Sequence, residues 1–293
     1  MTSLEIEARD GQGAHLPGEQ PMRWIHGGPG GVSRNALREL AAFRGVLSAF
    51  ALRQVKVKYK QAAVGVGWAV LQPLLAAGIF ALFLGRYVDV PSEGLPYLLF
   101  ALAGMVAWTY FAGSSNTSVE SLVNDQALLR KVYFPREVLP LAAVLAGLAD
   151  LVPGLVVLLV VSGAYGIAPA LTWVALPLVL LILLVTAAAL GLALSGVNVY
   201  YRDVRYALPF LIQLGLFASP VVYPLGAIPA GWRDLYAVAN PVAAAIDGLR
   251  RIVLHHEWPD LLVTGGALAW AMVLLAGAYV LFKRLERGFS DRV

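Results

Sequence analysis

Residues 171–194 contain no charged side chain. That run is longer than the ~18 apolar residues beyond which a helix reads as a membrane crossing rather than part of a soluble core. The rest of the chain has to be compatible with a helix bathed in lipid, and its composition agrees. Of 293 residues, 59% are hydrophobic and 14% charged, against roughly 25% charged in soluble domains. Further apolar runs cover residues 64–84, 97–111 with an extension toward 119, 138–161, 207–222 and 261–282. The expected fold class is therefore all-α and polytopic, with six transmembrane helices per subunit.

Residues 1–35 are rich in glycine and proline and are expected to form a flexible cytoplasmic tail, with no apolar core of a signal peptide. Ser33 or Asn35 is placed to cap a following helix. Residues 36–60 carry Leu37, Leu40, Phe43, Val46, Leu47, Phe50 and Val55 at three- and four-residue steps, with Arg44, Arg53, Lys56, Lys58 and Lys60 on the polar side and at the end. This pattern predicts an amphipathic interfacial helix, apolar face in the acyl boundary and basic groups among anionic headgroups. The six-span domain is expected over 61–287, and 288–293 form a short cytoplasmic end.

Within the spans, Pro73 is expected to kink the first. The second is unusually polar in its latter half, with Gly113, Ser114, Ser115, Asn116 and Thr117 facing neighbouring helices or a polar cavity. The third contains Asp150 and Pro153. A carboxylate there faces protein or water; it either guides a polar substrate or makes a helix–helix hydrogen bond or a cap at the Pro153 kink, and the second, structural reading is favoured. Residues 197–206 form a polar connection. Residues 223–253 are broken by prolines and glycines, and the pieces 230–238 and 241–253 are too short to cross. They are expected to be re-entrant or interfacial helices between the fifth and sixth spans, tolerated at membrane depth where protein or water covers the backbone.

Six crossings place both termini on one side. With the termini in the cytoplasm, all of the 22 lysines and arginines except Arg86, Arg233, Arg250 and Arg251 fall inside, as the positive-inside rule requires. The basic island 120–140 then faces the cytoplasm.

The chain shows no nucleotide-binding or catalytic signature. Gly27, Gly28, Gly30 and Gly31 lack the lysine of a phosphate-binding loop, and His255-His256-Glu257 is contiguous and cannot present two histidines on one helix face to zinc. There is no cysteine and no metal site is expected. A pump of this kind must borrow its ATPase or use an ion gradient, and no internal repeat of the ion-coupled type is evident.

Arg53-Gln54-Val55-Lys56-Val57-Lys58-Tyr59-Lys60 with Gly65, Trp68 and Gln72-Pro73 resembles the entry to the first span of type-2 ABC exporter permeases. So do Leu129-Arg130-Lys131-Val132-Tyr133-Phe134-Pro135-Arg136-Glu137, Asn198-Val199-Tyr200-Tyr201-Arg202-Asp203-Val204, Pro220-Val221-Val222-Tyr223-Pro224 and Asn240-Pro241. The combination is similar to the polysaccharide branch, which exports O-antigen, capsular glycan or teichoic acid.

The resemblance implies a homodimer paired with two copies of a separate cytoplasmic ABC ATPase, which binds ATP and magnesium; this chain itself binds no cofactor and performs no reaction. It implies a coupling helix over 124–134 that sits on the ATPase through Asn124, Asp125, Gln126, Leu129, Arg130, Lys131 and Phe134. It makes residues 36–60 a gate helix whose Lys56, Lys58 and Lys60 contact the pyrophosphate of a lipid-linked polysaccharide. The polymer would pass from the cytoplasm across the inner membrane, O-antigen first among the glycans, through a channel between subunits. Tyr97, Trp108, Tyr110 and Phe111 are candidate channel rings, because aromatic faces stack on sugars; helix packing is the competing reading. A lipid or drug exporter of the same broad family is the runner-up. A membrane glycosyltransferase would need clustered acids that the sequence lacks. Membrane lipids are expected partners and nucleic acid is not.

Overall fold

The computed structural model describes residues 42–60, 65, 67–129 and 134–289 of the chain. The tail 1–35, the expected beginning of the gate helix with its capping residues, and Arg130 and Lys131 lie outside the described residues.

Among the described residues the regular structure is helical. The helices are α1 (Arg44–Lys60), α2 (Gly67–Phe80), α3 (Tyr97–Asn124), the single turn α4 (Gln126–Leu129), α5 (Val138–Ala146), α6 (Leu148–Ala164), α7 (Leu176–Tyr200), α8 (Val204–Ala218), α9 (Ala230–Ala239), α10 (Pro241–Arg250) and α11 (Leu261–Glu286). Wider π-helical turns extend α2 through Ala81–Tyr87 and α10 through Arg251–His255, and a 3-10 turn Leu171–Ala175 leads into α7. Five helical stretches among the described residues are long and apolar enough to cross a membrane: Gly67–Tyr87, Tyr97–Asn124, Val138–Ala164, Leu171–Tyr200 and Leu261–Glu286. The chain is an all-α, multi-pass membrane protein.

The expected fifth crossing, 207–222, is shorter than its apolar run. Helix α8 ends at Ala218 after 15 residues, about 22 Å of rise against roughly 30 Å of hydrocarbon. Beyond it, Ser219 turns to an extended conformation and Pro220 cannot continue the ladder. The 197–206 connection is also shorter than expected, since α7 keeps its helix through Tyr200.

Helix α3 is the axis of the bundle. It packs against α2, α5, α6, α7, α8 and α10, and its span is the most enclosed of the five. Its polar half does not interrupt the helix, and Thr117, Ser118 and Ser121 each donate to a backbone carbonyl, whereas Ser114 Oγ and Ser115 Oγ are buried without a hydrogen-bond partner. Ser118 Oγ donates to the carbonyl of Pro140 at 2.9 Å, Ser121 Oγ to that of Ser118 at 2.7 Å, and Thr117 Oγ1 to that of Gly113 at 2.9 Å. Small residues let partners approach closely, as in other membrane bundles. Gly147, which separates α5 from α6, sits so near that a Cβ there would stand 1.9 Å from Ser114 Oγ. Pro73 is buried inside a continuous α2.

Outward-facing apolar rows remain on the periphery: Leu75, Ile79 and Phe83 after α2 begins, Val152, Val156 and Val160 on α6, and Phe210, Leu214 and Phe217 on α8. Their three- and four-residue spacing is that of helix faces turned to hydrocarbon.

At the end of the bundle where α3 begins, α10 plugs the gap between α3, α7 and α11. Asn240 starts it, with its side-chain oxygen accepting from the Ala243 amide at 3.3 Å and Pro241 in the first turn. Arg250 is wholly buried. Its guanidinium donates to the carbonyls of Phe100 (3.2 Å), Pro220 (2.7 Å) and Val221 (2.6 Å) and lies 3.5 Å from the centroid of the Phe100 ring. The planar fork of arginine suits three separate acceptors. Arg250, counted on the outer side by the charge distribution, binds the chain break after α8 to the start of α3. Gly104 leaves the room, since a Cβ there would be 2.6 Å from the Val221 oxygen.

Candidate functional site

The opposite end of the bundle carries a polar cleft. Its first wall is α1. Phe43, Val46, Leu47, Phe50, Gln54, Val55 and Tyr59 are half-buried, while Leu52, Lys56, Val57, Lys58 and Lys60 are exposed. Half-buried positions thus recur at helical steps along α1, and that face packs on α5 and on the neighbouring cluster rather than on acyl chains. Spacing alone cannot separate those two partners, because each demands the same stripe.

Two ion pairs fix the helix. Arg53 Nη1 is 3.1 Å from Asp125 Oδ1, just past the end of α3. Lys58 Nζ is 2.5 Å from Asp150 Oδ2, in the first turn of α6, and the Tyr59 hydroxyl donates to the other Asp150 oxygen. Burial, with the Asp150 carboxylate next to it, pushes the Tyr59 hydroxyl well above the ordinary phenol value and keeps it a donor. Asp150 thus makes a contact between elements, as favoured from its position in the span, and its partners come from α1.

Between these walls lies a cavity of about 430 Å³. Gly113, Thr117, Ser121 and Asn124 supply a polar stripe from α3, and Arg53, Gln54, Lys58, Asp125 and Asp150 the charged and amide groups. Gln54 Oε1 is buried without a hydrogen-bond partner in the protein. Hydroxyls, an amide and charges of both signs form a site for a hydrated, polyhydroxylated or phosphorylated ligand. Among the described residues no group of three or more histidine, cysteine, aspartate or glutamate side chains is placed to hold a metal.

The residues expected to dock an ATPase divide into two sets. Asn124 is exposed, Asp125 pairs with Arg53, and Gln126 and Leu129 are half-buried on the turn α4. Phe134 points inward, 5% exposed, with its ring centroid 5.3 Å from that of Phe50. It belongs to an apolar cluster with Leu122, Val138, Leu192, Phe282 and Phe289. Beside that cluster Lys283 bridges Glu137 and Glu286, at 2.8 and 2.9 Å. This triad, buried at Glu137 and partly buried at Lys283 and Glu286, was not singled out in the sequence; a charged pair brought together across 146 positions leaves no local pattern.

Of the candidate aromatics, Tyr97 is half-buried and its hydroxyl donates to the Val222 carbonyl. Trp108, Tyr110 and Phe111 are 5%, 2% and 8% exposed and pack inside the subunit. The Trp108 and Phe111 centroids are 5.4 Å apart, and Trp108 reaches Gly215 of α8. In this conformation the three rings do not border an open path. The exposed polar face nearest them is the stripe of Gly113 and Thr117.

The described residues thus form a multi-pass helical bundle with a polar, charged cleft at one end. The chain belongs to the ABC-2 type transporter membrane family, whose model matches residues 46–254. It is homologous to O-antigen export permeases. It is 30% identical to the O-antigen export system permease protein RfbA of Myxococcus xanthus over 258 residues, covering 88% of this chain and 98% of that protein. It is also 30% identical to an O-antigen export system permease protein RfbA of Klebsiella pneumoniae, covering 82% and 91%. The polysialic acid transport protein KpsM of Escherichia coli is 24% identical over 71% of this chain and 81% of that protein. Membership makes the chain a transport permease that works with a separate ATPase subunit.

Proposed function

We propose that the chain is the membrane subunit of an ATP-driven exporter that moves a lipid-linked polysaccharide, O-antigen in the first instance, from the cytoplasm across the inner membrane. The observation that carries this reading is the polar cleft beside α1, at the end of the bundle where α3 finishes, in a chain homologous to glycan export permeases. The similarity to the polysialic acid transport protein supports a capsular glycan as second reading.

In this account the cleft end is cytoplasmic, as are both termini, in keeping with the distribution of lysine and arginine. Two subunits form a homodimer with two ATPase copies, and the polymer passes between the subunits. Each ATPase docks on residues 124–134, with Arg130 and Lys131 supplying charge. The lysines Lys56, Lys58 and Lys60 of α1 receive the pyrophosphate of the carrier. Helices α9 and α10 serve as the re-entrant pair at the outer exit. The aromatic rings of α3 contact glycan only when α3 and α8 part.

Reconstitution tests this. The permease and its partner ATPase in proteoliposomes should translocate a polyprenyl-pyrophosphate-linked glycan only with hydrolysable ATP. ATP-dependent transport of a lipid or drug and none of the glycan would overturn the assignment.

A further inference from the structure

The cleft contains an anion of its own. Both oxygens of Asp150 are taken by the last turn of α1, one by the Lys58 ammonium at 2.5 Å and one by the Tyr59 hydroxyl. We propose that Asp150 is a place-holder for phosphate: in the resting subunit its carboxylate occupies the seat that the phosphate of a lipid-linked ligand takes on Lys58, and its displacement releases α1 from α6. This rests on the reading of the chain as an exporter of a lipid-linked glycan, and it adds a competitor and a latch to the expected lysine contact.

Four observations support it. Asp150 lies about 18 Å along its span from Val138, where an unpaired carboxylate is expensive. Its two partners both come from α1, so the charge holds that helix against the bundle. The Lys58 side chain is 60% exposed while that of Asp150 is 21% exposed, so the cation is open to an incoming ligand and the anion is set behind it. Finally, the cavity is large enough for a phosphate group with a sugar attached, since pockets of roughly 300–1,000 Å³ take such ligands. Arg53, Thr117, Asn124 and the unpartnered Gln54 oxygen line it, and exposed Leu52 and Val57 flank it with an apolar surface for a prenyl chain.

The exchange is an ionic one. A pyrophosphate diester carries one negative charge on each of its two phosphates, so it outcompetes a single carboxylate by engaging Lys58 with one and Arg53 with the other. Asp150 is then left facing the cleft without its cation, and α1 stays on the bundle through its packing on α5 and on the cluster around Phe50.

The full-length permease in phosphatidylcholine nanodiscs can be titrated with a short-chain polyprenyl pyrophosphate. Asp150→Asn should bind about tenfold more tightly than the unmodified protein. Asp150→Glu should restore ordinary affinity, and Lys58→Met should weaken binding at least tenfold, also in combination with Asp150→Asn. Weaker or unchanged binding by Asp150→Asn, with Lys58→Met still defective, overturns the place-holder and leaves the exporter reading standing. No effect of Lys58→Met removes the lysine contact as well. Inorganic pyrophosphate or phosphatidylglycerol competing as well as the polyprenyl form would overturn the lipid-linked ligand; competition by neither upholds it.

Discussion

Lys283 Nζ lies 2.8 Å from Glu137 Oε2, and the two residues join the start of the third span to the end of the last. Glu286 completes the group at 2.9 Å. Breaking a buried pair by removing one partner is costly because the other charge is stranded. Lys283→Met should therefore destabilise the subunit by about 3–5 kcal/mol. Glu137→Gln, which keeps an acceptor for the ammonium and leaves Glu286 as its counter-charge, should cost less. Thermal unfolding in detergent measures both, and equal melting temperatures for Lys283→Met and the unmodified protein would contradict this role.

Arg250 is the corresponding fastening at the other end. Arg250→Met leaves the carbonyls of Phe100, Pro220 and Val221 without their donor, at about 1–3 kcal/mol for each buried group that finds no replacement. Arg250→Lys is expected to recover part of the loss, since an ammonium lacks the planar fork. Gly104→Ala should lower the melting temperature as well, because the new methyl meets the Val221 oxygen. A stable Arg250→Met variant with unchanged protease resistance of the 219–223 segment would count against the fastening.

Trp108 and Tyr110 give a prediction that separates packing from glycan contact. Both are buried in the resting subunit, so Trp108→Ala and Tyr110→Ala should each lose about 3–5 kcal/mol of stability and reduce the amount of folded permease. Conservative exchange to Phe should restore folding. If the alanine variants fold normally and only export falls, the rings act on the glycan and their packing is incidental.

The long apolar runs at 171–194 and 261–282 were readable because hydrocarbon demands uninterrupted apolar length, and the structure places α7 and α11 there. Helices α9 and α10 were readable from their prolines, with Pro229 and Pro241 at their starts. Other features depend on partners far away in sequence. Lys58 meets Asp150 across 92 positions, and nothing in either neighbourhood announces the other. Arg250 was counted among outer charges because a count by loop cannot see three carbonyls converging on one guanidinium. The inward face of α1 was assigned to lipid, since a stripe packed on protein and a stripe packed on acyl chains have one period. Helix α8 stops at Ala218 although the apolar run continues, because Pro220 withholds a backbone donor.

The central claim is that force from a separate ATPase enters this subunit through residues 124–134. Arg130→Glu with Lys131→Glu reverses the charge of the island while leaving the cluster around Phe134 untouched. Co-purification of the doubly substituted permease with its ATPase, read together with export in cells, is the most direct test. The account predicts a folded permease that no longer retains the ATPase and exports no glycan. Normal retention of the ATPase with normal export would contradict it.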